Sequence, residues 1–154
     1  MSSSLVIGYG NTLRSDDGAG VRAAELIRTA MPDVEVVVVP QLTPELAENI
    51  SRHRHVVFLD ASAQTDWQSL RVLPVDATTH SSAPVTHAAS PEQLLQLSES
   101  VYGAVPERTV LVTIPAVSFE LGEALSPLTA RRVVECVDWF RSELSEQRPR
   151  PPRA

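Results

Sequence analysis

Two adjacent acids, Asp16 and Asp17, stand among glycines just after a short apolar run. A third acid, Asp60, closes a later apolar run, and two histidines, His80 and His87, share one polar stretch. Two carboxylates and one imidazole suit a borderline divalent cation and leave coordination positions open for substrate or water. Either Asp17 or Asp60 could also act directly as a general base. Each residue has a plainer role as well. An acid ahead of a helical pattern can cap it, an aspartate at a strand end can form a turn, and a loop histidine needs no ligand.

Elements that would position these residues follow from the apolar spacing. Residues 5–7 read as a buried strand and 21–29 as an amphipathic helix. A second strand is expected at 34–39. Thr43 and Pro44 read as an N-cap followed by proline at the first helical position, opening a helix to about Arg52. A third strand covers 55–59 and ends on Asp60, with His53 and His55 flanking it as surface residues. A shorter fourth strand is expected at 70–75. A long polar loop, 76–89, carries His80 and His87. Ser90-Pro91-Glu92-Gln93 reads as a capping box for a helix to about Tyr102. A further strand covers 110–114, and Ser126-Pro127 opens a last helix to about Leu144.

Strands alternating with helices predict one α/β domain over 1–146, a three-layer α/β/α arrangement around a mostly parallel twisted sheet. The proline- and arginine-rich tail, 147–154, is expected to be disordered. In such sheets ligands bind at the C-terminal strand ends, where Asp17 and Asp60 fall. His87 precedes Ser90 by three residues, so an ordered helix start restrains it; His80 has no such restraint nearby.

Several chemistries are disfavoured. A dinucleotide fingerprint needs glycine where Leu13 stands, and two acids beside a phosphate would repel it, so no nucleotide is expected. No G-x-S-x-G elbow supports a serine nucleophile. Cys136, set among Val133, Val134, Val137 and Phe140, reads as a small buried apolar residue. The formal net charge of −6 argues against nucleic acid. No apolar run is long enough to span a membrane. The start, MSSSLVIGYG, lacks the basic segment of a secretory leader, and a single cysteine suits a reducing compartment, so a cytoplasmic location is expected.

Residues 5–20, LVIGYGNTLRSDDGAG, resemble the opening signature of the hydrogenase maturation endopeptidases, which trim the C-terminus of the NiFe-hydrogenase large subunit. That signature is an apolar strand followed by G-x-G-N-x-L-x-x-D-D/E-G-x-G. Gly8, Gly10, Asn11, Leu13, Asp16, Asp17, Gly18 and Gly20 match it. The resemblance continues more weakly to about Ala130, including Ile114-Pro115-Ala116 and the glycine-containing loop 119–126, where Glu120 and Glu123 are candidate rim acids.

The resemblance implies that Asp17, Asp60 and His87 are metal ligands, with Asp17 and Asp60 also the catalytic candidates. It leaves Asp16 to capping or turn support. It implies nickel as the ion, already inserted in the substrate protein, and the large-subunit precursor as the partner. The implied activity is removal of a short C-terminal extension from that nickel-loaded precursor. A non-proteolytic nickel- or partner-binding module and a small-molecule metallohydrolase are the alternatives on the same fold. One departure stands out. Many family members have an acid closely followed by glycine after the second strand, where this chain has Pro40-Gln41-Leu42-Thr43-Pro44.

Overall fold

The computed structural model describes residues 3–63, 68–78 and 88–147. Its centre is a five-stranded sheet: β1 (Ser4–Tyr9), β2 (Glu35–Val39), β3 (His55–Ser62), β4 (Arg71–Pro74) and β5 (Arg108–Pro115), in the order β2-β1-β3-β5-β4. All neighbours pair in parallel except β4, which runs antiparallel to β5 at one edge. Four helices cover it: α1 (Ala19–Ala30), α2 (Leu46–Ser51), α3 (Pro91–Tyr102) and α4 (Pro127–Gln147). The expected α/β domain with a mostly parallel sheet is therefore present.

Alternation along the strands builds two core layers, because successive side chains point to opposite faces. Val6, Val57, Leu59 and Val112 meet Ala23, Ile27, Val133 and Phe140 from α1 and α4. Leu5, Ile7, Val56 and Phe58 meet Leu46, Ile50, Leu94 and Leu95 from α2 and α3. Each fully buried leucine, isoleucine or phenylalanine contributes about 1.5–3 kcal/mol. Cys136 belongs to the first layer, as expected, and burial pushes its thiol up to about 12.

Most boundaries follow local chemistry. Ser90 caps α3 as a full capping box: its Oγ accepts the Gln93 N–H at 3.2 Å, and Gln93 Oε1 accepts the Ser90 N–H at 2.9 Å. Gly103 ends that helix in the left-handed region at φ 68°. The α-helix after β2 starts at Leu46, later than expected from Thr43, because the first turn closes through i→i+3 bonds to Thr43 and Pro44 carbonyls. β3 runs two residues past Asp60, since Ala61 and Ser62 still pair with Ile114 and Pro115.

His53 corrects an expectation. It is buried, only 9% exposed, not a surface residue. Its Nδ1 lies 2.7 Å from the Asn49 carbonyl and its Nε2 2.5 Å from Glu35 Oε2, pinning the end of α2 to β2. His80, His87 and the part of the tail beyond Gln147 lie outside the described residues.

Candidate active site

The chain leaves β1 toward β2, then crosses back over β1 to form β3. The C-terminal ends of β1 and β3 thus flank the topological switch point, where open α/β sheets bind ligands. Two glycines bring the first turn of α1 down onto these strands. A Cβ on Gly20 would sit 2.2 Å from the Leu59 carbonyl oxygen, and one on Gly8 would sit 2.5 Å from Ala24 Cβ and the Gly20 carbonyl oxygen. Only hydrogen fits in either place. The contact holds the Ser15–Gly18 3-10 turn, and so Asp17, beside the end of β3.

Asp17 is half-buried, and its Oδ2 accepts the Asn11 N–H at 2.8 Å. Gly10 makes room for this turn. Its φ is 140°, and a Cβ there would fall 2.1 Å from the Asp17 carbonyl oxygen.

Asp60 lies on the same sheet face as Val56 and Phe58. Tyr9 follows Leu5 and Ile7 onto that face, and the Ile7–Phe58 register, carried two residues on, sets Tyr9 against Asp60. The Tyr9 hydroxyl donates to the Asp60 carboxylate. Burial pushes the Asp60 carboxyl up to about 6; the bonds from Tyr9 and the Ala61 N–H pull it down, and the nearby Asp17 charge pushes it up again. The Tyr9 phenol is pushed well above its ordinary range, first by burial and then by Asp60. Tyr9 therefore stays protonated and donating across the neutral range.

Asp16 does different work from its neighbour. It is completely buried and accepts four hydrogen bonds: Val117 N–H at 2.9 Å, Ser118 N–H at 3.0 Å, and the Ser126 N–H and hydroxyl at 2.7 Å each. Burial alone would raise its carboxyl, but these donors, Ser126 N–H foremost, hold it below the ordinary carboxylate range. Neither the 3-10 turn nor α1 has a side-chain cap, so Asp16 supports a distant loop and caps no helix. Ser15 reinforces the tie. It adopts φ 51°, with its N–H on the Gly122 carbonyl at 2.8 Å and its hydroxyl on the Glu120 carbonyl at 2.7 Å. Glu120 and Glu123 are exposed.

Of the expected ligand set, the described residues bring Asp17 and Asp60 together, while His87 lies outside them. Among the described residues no three His, Cys, Asp or Glu side chains gather as a metal site. An acid pair close enough for one charge to perturb the other is nonetheless a donor set that a cation would relieve. Tyr9 and Ser126 were not anticipated. The period-2 pattern Leu5-Ile7-Tyr9 held the signal for Tyr9. Nothing local marked Ser126 as a partner of Asp16.

The same architecture recurs in solved structures. The E. coli hydrogenase maturating endopeptidase HybD superposes with a TM-score of 0.74 at 22% identity, covering 93% of this chain and 92% of its own. The chain has the fold of the hydrogenase maturation endopeptidases. The NiFe-hydrogenase maturation protease HycI of Thermococcus kodakarensis gives a TM-score of 0.70 at 23% identity, over 94% of this chain and 93% of that one. The hydrogenase 2 maturation peptidase of a Thaumarchaeota archaeon gives 0.67 at 23% identity, over 92% and 97%. No family model matches the sequence, and no curated protein does. Across the described residues no helix is long and apolar enough to cross a membrane.

Proposed function

We propose that this protein is an endopeptidase that removes a short C-terminal extension from the nickel-loaded large-subunit precursor of a NiFe-hydrogenase, in the cytoplasm. The observation that carries this reading is the meeting of Asp17 and Asp60 at the β1/β3 switch point, on a fold shared with maturation peptidases.

Nickel enters as part of the substrate. Asp17 and Asp60 would face it, with His87 as third ligand on the resemblance of the loop before Ser90. When present, the ion supplies positive charge that polarises a peptide carbonyl or a water. Burial raises the Asp60 carboxyl to about 6, which keeps it a usable base near neutral pH, and the hydrogen bond from the Tyr9 hydroxyl orients it. It can accept a proton from an attacking water. Asp17 is fixed by Asn11 and contributes negative charge opposite the cation. Two carboxylates and an imidazole hold a borderline ion weakly unless the partner supplies more ligands, so cleavage would report that nickel has been inserted.

Intact-mass spectrometry tests this. The nickel-containing precursor should lose a C-terminal segment on incubation with the protein, and the nickel-free precursor should not. Equal cleavage of both would remove the metal checkpoint; cleavage of neither would remove the proteolytic reading.

A further inference from the structure

Strand β2 is an edge strand, and four of its five residues are valines. An exposed apolar edge invites pairing with other chains, and proteins usually blunt it. Here the blunting is incomplete in one place. The Gly10 N–H bonds the Val39 carbonyl, so Val39 and Val37 face β1. Val36 and Val38 consequently turn their backbone groups outward. The Val36 carbonyl is taken by Arg28 Nη2 at 3.1 Å. Pro40, next in the outward series, has no N–H to offer. Val38 alone leaves both an N–H and a C=O without a partner among the described residues.

A cleft of about 290 Å³ opens beside that position. Asn11, Leu13, Val21, Glu25, Val38 and Pro40 line it. Leu13 is 58% exposed, so apolar surface stands open at the rim. The cleft also reaches the candidate active site, because Asn11 both lines it and donates to Asp17.

We infer that an extended segment of the precursor's C-terminal extension docks here by strand addition, bonding Val38 N–H and C=O and placing an apolar side chain in the cleft. This deepens the function proposed above and rests on it. Main-chain bonds at an edge give affinity, and a pocket for one alternate side chain gives selectivity. The pair of closures at Val36 and Pro40 fixes a single register, which would present the peptide next to Asp17 at a set phase. Glu25 in the wall disfavours an acidic side chain.

Two variants separate docking from catalysis. Val38→Pro removes the outward donor, and edge strands tolerate proline where the N–H faces outward. Glu25→Trp fills the cleft from its solvent side. Both should raise KM for the nickel-loaded precursor roughly fivefold or more, with kcat within about twofold, as loss of ground-state contacts predicts. In the 15N-labelled wild type, a synthetic peptide reproducing the extension should shift the Val38 amide resonance, and Glu25→Trp should suppress that shift. Folded variants with unchanged KM, or a Val38 amide unmoved by the peptide, would overturn the inference while leaving the proposed activity intact. If wild type cleaves no precursor, the activity fails, and the amide response still decides the docking. If Val38→Pro does not fold, Glu25→Trp and the amide response decide. Concentration-dependent dimerisation abolished by Val38→Pro would assign the edge to a second copy and overturn the inference as well.

Discussion

Asp16 and Ser126 are joined twice, through the Ser126 N–H and its hydroxyl, each 2.7 Å from the buried Asp16 carboxylate. Ser126 also accepts the Thr129 N–H at 3.4 Å, so the residue that caps α4 is the one clamped to the turn after β1. The two acids of the Asp16-Asp17 pair thus divide their tasks: one fastens the loop before α4, and the other faces the candidate active site.

This makes Asp16→Asn a stability variant first. An amide presents N–H where one carboxylate oxygen accepted, leaving buried donors unpaired at a cost of about 2–3 kcal/mol. The melting temperature should fall by roughly 4–12 °C. A folded pKa held below the ordinary range contributes stability above the unfolded value and loses it as pH falls through the folded one. The gap between wild type and Asp16→Asn should therefore narrow on acidification, as read by urea denaturation at several pH values. A constant gap would place the cost elsewhere.

Asp60→Asn should behave in the opposite way. Burial disfavours the charged carboxyl, so a neutral amide of the same size should leave the melting temperature at neutral pH equal or higher. Processing of the nickel-loaded precursor should drop by roughly 100-fold or more, the scale of a lost general base. Asp17→Asn should also nearly abolish processing with the fold intact. Greater loss of cleavage in Asp16→Asn, measured at a temperature where it is folded, would reverse the assignment of the two acids.

For the histidines, His87→Ala should abolish both cleavage and substrate-dependent nickel binding, and His80→Ala should leave both in place. The comparison uses the same precursor assay with equilibrium dialysis of nickel. The reverse pattern would move the third ligand to His80.

Cys136 should be silent toward thiol reagents in the native protein. With the thiol pushed to about 12 and no exposed surface, almost no thiolate is available for attack. A chromogenic disulfide reagent should react only after urea unfolding. Prompt native reaction would mean that the layer beneath α4 opens readily.

Much of the fold was legible because its signals are local. The valine-rich run before Pro40, the capping box at Ser90 and the Ser126-Pro127 start are each written in adjacent residues. The antiparallel direction of β4 was not, since four exposed residues, Arg71–Pro74, carry no mark of orientation. Asp17 and Asp60 were legible because strand ends can be counted. Tyr9 escaped because it occupies the unspecified position between Gly8 and Gly10, although its alternation with Ile7 places it on the Asp60 face. Asp16 and His53 escaped for a different reason: their partners Ser126 and Glu35 are supplied by other elements, and tertiary partners leave no trace in local spacing.

The clamp between Asp16 and Ser126 also sets an order of events during synthesis. The two acids that face the candidate active site are translated within the first half of the chain. The groups that anchor the turn carrying Asp17, through its neighbour Asp16, arrive only between β5 and α4. A ribosome-bound chain that has emerged as far as α3 carries Asp17 and Asp60 but lacks Val117, Ser118 and Ser126, and its Asp16 has none of its four donors. The Ser15–Gly18 turn therefore gains its Asp16 anchor only when the last third of the chain has left the ribosome, and a prematurely terminated product would hold Asp17 by Asn11 and the glycine contacts alone.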